Sequence, residues 1–236
     1  LRNTLTIASR ELRSYFISPV AYAVGFFFLL ILGAWFYFIT VLELHEATMG
    51  GTFKMLGYLL VPVAAVITMH LFSEERRSGT IELLMTYPVN DWEVVMGKYL
   101  ASLLLYAFVL ALTIQYPIFL GIFGKPDWGL ILTGYVGTFL IGAAFLAMGV
   151  LSSALTRSAV VAAIICLLML FALRFLAAGS TLGGGLGRVF RYLSFSGQLD
   201  NFSTGLIDTR DVVYLVSFAF FTLFTAIRVI EINRWK

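Results

Sequence analysis

Charge is scarce in this sequence. Acidic and basic residues together make up 12% of its 236 residues, about half of the roughly 25% usual in soluble domains. A water-soluble fold of this length would not need 60% hydrophobic residues, so the composition excludes an ordinary globular domain and points to a polytopic membrane protein. The single cysteine, Cys166, excludes a disulfide framework and a cysteine-based metal site. Lying in an apolar run, it reads as a small helix-packing residue. A net charge of +3 gives no reason to expect nucleic acid. A phosphate-cradling loop, Gly-x4-Gly-Lys followed by Ser or Thr, is also missing. Gly97-Lys98 is followed by Tyr99, and Gly124-Lys125 by Pro126.

What the chain does have is apolar runs of membrane-crossing length. Residues 2–17 alternate Arg2, Arg10, Glu11 and Arg13 with Leu5, Ile7, Leu12, Tyr15 and Phe16, the pattern of a helix lying in the membrane interface. Ser18-Pro19 ends it. Six spans are expected at 20–42, 58–72, 91–123, 128–151, 159–178 and 212–230; most are near the roughly 20 residues that a bilayer requires, while the second is short and the third long enough to protrude into water. A polar connection, 43–57, joins the first two. The third starts at Asn90-Asp91-Trp92-Glu93, which has the form of a capping box, and Pro117 is expected to kink it. The fourth is rich in small residues (Gly134, Gly137, Gly142, Ala143, Ala147, Gly149), as expected where helices pack closely in lipid. Residues 179–210 read as a Gly-rich turn, a short amphipathic or re-entrant helix, then a loop on the outer side. Asp208 and Asp211 supply acidic groups at the start of the last span. The first apolar run is too long for a cleaved signal peptide and has no small-residue cleavage site. The fold class is therefore all-α, a single transmembrane domain over 1–236.

Six spans put both termini on one side. Ten basic residues fall on that side and six on the other, which places the termini in the cytoplasm. The stretch 72–93 between spans two and three lies on the same side. It carries five acids and two arginines, which cannot sit cheaply in lipid. Ser73 or Thr80 can cap a short helix here, Ile81, Leu83, Leu84 and Met85 give it an oily side, and Gly79 permits a sharp bend. Leucines between charges suit docking into the groove of a soluble partner, although a solvated linker would carry the same composition.

The run Phe72-Ser73-Glu74-Glu75-Arg76-Arg77-Ser78-Gly79-Thr80-Ile81-Glu82-Leu83-Leu84, followed by Pro88, Trp92-Glu93 and Gly97-Lys98-Tyr99-Leu100, resembles the signature of ABC-2-type transporter permeases. Gly149 with Ser152-Ser153-Ala154-Leu155-Thr156-Arg157 is similar to the same family, and Ser203 to Asp211 is similar to its gliding-motility-associated branch. The resemblance covers essentially the whole chain. It implies the membrane-spanning subunit of an ABC exporter in the bacterial inner membrane, with an N-terminal interfacial helix, a cytoplasmic coupling helix over 73–90 and short outer-side helices between spans five and six. Carried onto this sequence, it makes Glu74, Glu75, Arg76, Arg77, Gly79, Thr80, Glu82, Leu83 and Leu84 the surface that meets the ATPase, supported by Arg10, Glu11 and Arg13. The implied partners are an ABC ATPase dimer, which would bind the ATP and Mg, a second permease copy, membrane lipids and an accessory subunit. No cofactor is expected in this chain, and it is not expected to be an enzyme.

An ion-coupled secondary transporter and a non-transporting scaffold stand as alternatives. The first usually places ionisable groups deep in the membrane, and spans one, three, four and six carry no charge near their middles. An intramembrane metalloenzyme built on Glu74-Glu75 would want Arg where Gly79 stands, and three convergent ligands. His45 is expected on the opposite side of the membrane.

Overall fold

The computed structural model describes residues 2–38, 48–79, 90–175 and 194–234, without the side chains of 123, 196, 233 and 234. Ten α-helices and no strands occur among the described residues. We number them α1 Arg2–Ile17, α2 Pro19–Trp35, α3 Gly50–Thr68, α4 Ser73–Ser78, α5 Asp91–Leu112, α6 Gln115–Phe123, α7 Trp128–Leu155, α8 Ala159–Phe175, α9 Phe195–Ser203 and α10 Thr209–Arg234. Five helical segments, Pro19–Phe38, Gly50–Ser78, Asp91–Ile122, Trp128–Leu155 and Thr209–Ile232, are long and apolar enough to cross a membrane, and Ala159–Phe175 is apolar but shorter. The chain is an all-α polytopic membrane protein.

The bundle is organised around α7, against which α3, α5, α8, α9 and α10 pack. Its small residues make this close approach geometrically possible. Phe53 of α3 covers Gly134, Phe202 of α9 covers Gly137, Tyr106 of α5 covers Gly142, and Thr68 of α3 covers Gly149. Tyr106, fully buried, spends its hydroxyl on the Thr138 carbonyl at 2.8 Å. By contrast α2 packs mainly on α3 and presents Tyr22, Phe26, Phe27 and Leu30 outward, as a lipid-facing helix does.

Local chemistry explains three of the helix starts. Ser18 caps α2, its Oγ accepting from Val20 N–H at 3.3 Å, with Pro19 in the first turn where its missing N–H costs nothing. Glu93 reaches back to the Asn90 N–H at 3.3 Å, as the capping-box reading of that start requires. Asp127 Oδ1 accepts from Gly129 and Leu130 at 2.9 and 3.3 Å to open α7.

Four expectations are corrected. The helix expected from 58 begins at Gly50, because Thr52, Phe53, Leu56 and Gly57 are buried against the bundle and not part of a polar connection. The helix expected over 91–123 is interrupted at Thr113-Ile114. Pro117 cannot donate to the Thr113 carbonyl, and the Tyr116 N–H takes that carbonyl at 3.0 Å in a tightened turn. A short helix, α9, lies between the fifth and last apolar helices, where short helices were expected, but at 195–203 it falls in the part read as the loop that follows them, with Phe195, Leu199 and Phe202 on its buried face. The last helix starts at Thr209 and not at 212. Residues 39–47, 80–89 and 176–193, with their share of the expected first and fifth spans, coupling segment and outer region, lie outside the described residues.

Candidate functional site

The charged stretch and the N-terminal helix meet at one end of the bundle, and a lysine joins them. Lys98 lies two turns into α5 with a side chain only 2% exposed. A buried ammonium with three N–H groups needs three acceptors, and it finds them on three elements. Nζ lies 2.8 Å from Glu75 Oε1 on α4, 3.3 Å from Glu11 Oε1 on α1 and 2.7 Å from the Leu71 carbonyl in the α3–α4 turn. The Phe72 ring centroid, 5.1 Å away, adds its π face. Arg10 sits 3.0 Å from the same Glu11 oxygen, so the row Arg10–Glu11–Lys98–Glu75 holds two positive and two negative groups.

α1 can come this close because position 97 has no side chain. A Cβ on Gly97 would lie 2.8 Å from Ile7 Cβ and 3.0 Å from the Thr4 carbonyl. Two further bonds tie α1 down. Asn3 Nδ2 donates to Glu93 Oε2 at 3.2 Å, and the Tyr15 hydroxyl donates to the Ile67 carbonyl at 2.6 Å. Burial pushes the Tyr15 phenol well above its ordinary value, so it stays a donor.

α4 is anchored on its other side by the end of α7. Ser153 Oγ accepts from the Phe72 and Ser73 amides at 3.0 and 3.3 Å and donates to the Met69 carbonyl at 3.2 Å. The Arg76 guanidinium donates to the Ala154 carbonyl. The six-residue α4 then ends at Gly79, whose φ of +70° is a left-handed conformation that glycine adopts without strain. Ser73 does not cap α4. Its hydroxyl donates back to the Met69 carbonyl, and Phe72 occupies the cap position.

The other expected contact residues surround this joint. Glu74 Oε1 lies 2.7 Å from Nδ1 of His70, one turn earlier, and both border a cleft of about 250 Å³ with Glu11, Ser14, Tyr15 and Ser18. Arg77 is exposed beside Arg157, and Arg13 is exposed on α1. The structure thus brings Glu74, Glu75, Arg76, Arg77 and Gly79 together with Arg10 and Glu11, whereas Thr80, Glu82, Leu83 and Leu84 lie outside the described residues. Lys98 and Ser153 were the residues that sequence reasoning passed over, although both lie inside the quoted motifs. The available signal was a lysine between Val94-Val95 and Tyr99, in a helix whose buried face has no water to offer it. Chemically this is a mechanical joint. Its acceptors are filled by the protein itself, and no cluster of three or more His, Cys, Asp or Glu suited to a metal occurs among the described residues.

Residues 34–198 match the sequence model of the family described as ABC-2 family transporter protein. The chain is also 28% identical, over 139 residues, to the inner membrane transport permease YhhJ of Escherichia coli K12, and equally to that of Shigella flexneri. Those matches take in 59% of this chain and 37% of each relative, so the chain corresponds to well under two thirds of the relatives' length.

Proposed function

This chain belongs to the ABC-2 family of transporter proteins, and from that premise we propose that it is the permease subunit of an ATP-driven exporter in a bacterial inner membrane. Membership supports a transport permease; coupling to an ATPase and outward direction are the proposed part. The end bearing α1 and α4 faces the cytoplasm, as its concentration of arginines favours. A separate ABC ATPase dimer, which binds ATP and Mg, docks there on Glu74, Glu75, Arg76, Arg77 and the residues that follow. A second permease copy completes the path, because two nucleotide sites acting together need two docking segments. Spans one, two and five of the two copies line it.

The observation that carries this reading is the Lys98 joint. A force applied to α4 cannot be absorbed locally, because Glu75 is bonded through Lys98 to α5 and Glu11, while Arg76 is bonded to α7. Separating them would leave a buried charge without its partner, at a cost of about 3–5 kcal/mol. Movement of the docking segment is therefore handed to the α1–α5 pair and to α7 together.

The test is purification of the tagged chain from its native membranes in mild detergent, with mass spectrometry of what stays bound. A stoichiometric ATPase carrying a Walker loop, lost when Glu74 and Arg77 are both reversed in charge, is the expected result. A preparation of the wild-type chain with no ATPase would overturn the proposal.

A further inference from the structure

The opposite end of the bundle also gathers charge, but leaves it open. A pocket of about 380 Å³ lies among the first turns of α3, the last turn of α8 and α9. Lys54 Nζ is 3.1 Å from Asp200 Oδ1, and both side chains are about half exposed or more, at 49% and 62%. Such a pair is weak and exchanges partners readily. The Arg174 guanidinium stacks on the Tyr58 ring, 3.8 Å from its centroid. Stacking uses the face of the guanidinium, and among the described residues its in-plane N–H fork remains available to hold two oxygens of one oxyanion. Two cations against one carboxylate give the pocket, among the described residues, one positive charge in excess.

Below the cations the wall is apolar. Phe175, Phe171, Leu168 and Ile164 are all exposed, and their spacing of four, three and four residues puts them on one face of α8. The first two line the pocket itself, and the stripe runs from it along the apolar helix. A cationic mouth at the helix end above a continuous apolar track matches an amphiphile with an anionic head and an acyl tail.

We infer that the pocket formed by Lys54, Tyr58, Arg174 and Asp200 binds the phosphate headgroup of an anionic lipid-like molecule, with its acyl chain lying on the Ile164–Phe175 stripe of α8. The placement of this end in the outer leaflet rests on the exporter reading above. The headgroup oxygens occupy the Arg174 fork and draw Lys54 from Asp200. The molecule is either a resident phospholipid or cargo on its way out, since both present the same chemistry to these residues.

The test uses the permease with whatever subunits co-purify, incubated in mild detergent with phosphatidylglycerol or with phosphatidylcholine of the same chains. Native mass spectrometry then counts the lipid retained on this chain. The wild type should retain phosphatidylglycerol in preference, and Arg174→Gln should lower that retention about tenfold, the worth of a charge-assisted hydrogen bond. Arg174→Lys keeps the charge without the planar fork and should fall about threefold, which gives a reading if the Gln variant does not fold. Equal retention of the two lipids by the wild type, or an unchanged preference in a folded Arg174→Gln variant, overturns the inference. So does a variant that loses a second permease copy but no lipid, because the α8 stripe would then be a subunit contact. Stimulation of ATP hydrolysis by phosphatidylglycerol in the wild type alone identifies the lipid as cargo. Binding without stimulation identifies it as resident, and either upholds the site. Absence of an ATPase would break the exporter reading while leaving the lipid count readable.

Discussion

The two ends of the bundle hold their cations in opposite ways. At one end Lys98 is 2% exposed and surrounded by Glu11, Glu75 and a carbonyl. At the other, Lys54 and Arg174 border an open pocket in which Asp200 is the single carboxylate among the described residues. A buried ammonium cannot give up a partner without a large penalty, so the first end moves as one piece or not at all. A solvent-accessible cation trades one oxyanion for another at little cost. The same chemistry, lysine with carboxylate, therefore makes a rigid joint in one place and a receptive site in the other, and burial decides which.

The strongest way to break this contrast is to remove the buried cation. Lys98→Met should destabilise the protein by about 3–5 kcal/mol, lowering the melting temperature in detergent by roughly 10 °C. Most of that cost is the two carboxylates left behind, so adding Glu11→Gln and Glu75→Gln should recover much of the loss in melting temperature. If the triple variant were no more stable than Lys98→Met alone, the joint would owe its stability to packing and not to charge. In the assembled transporter the triple variant, stable but without its ionic links, should hydrolyse ATP uncoupled from transport.

A smaller effect is expected from separating α1 and α5 sterically while leaving every charge in place. A valine at position 97 would drive its side chain into Ile7 and the Thr4 backbone, for a cost of about 1–3 kcal/mol. Gly97→Val should make α1 more susceptible to limited trypsin cleavage at Arg10 and Arg13. Unchanged cleavage would mean that the close approach does not hold α1 in place.

The parts of this architecture that could be read from the sequence are those set by local chemistry. The amphipathic alternation of residues 2–17 identifies α1, and Asn90 with Glu93 identifies the start of α5. The first turns of α3 were hidden because Gly50, Gly51 and Lys54 are loop-like by themselves, and become helical only where Phe53 and Leu56 find α7 and its neighbours. α9 is short and carries Gly197, Asp200 and Asn201, so its buried Phe195, Leu199 and Phe202 were outvoted by polar neighbours. The candidate site divides in the same way. Glu75 stood out as a charge in a charged run, and Glu11 as part of an amphipathic helix. Their common partner lies 23 and 87 positions away, and no periodicity relates the three.

The smallest change in stability sharpens the contrast most. Asp200→Asn removes the carboxylate that the described residues bring to the open pocket, as Lys98→Met removes the buried cation of the closed joint. Because the Lys54–Asp200 pair is exposed, the melting temperature should move by no more than the equivalent of about 1 kcal/mol. The pocket meanwhile gains a second uncompensated positive charge, and Lys54 no longer has to be drawn away from its partner. Retention of phosphatidylglycerol should therefore rise, about twofold to fivefold for a change of roughly 0.5–1 kcal/mol in competition for Lys54. A destabilisation comparable to that of Lys98→Met would show that Asp200 is structural. The far end would then be a second joint and not a receptive site.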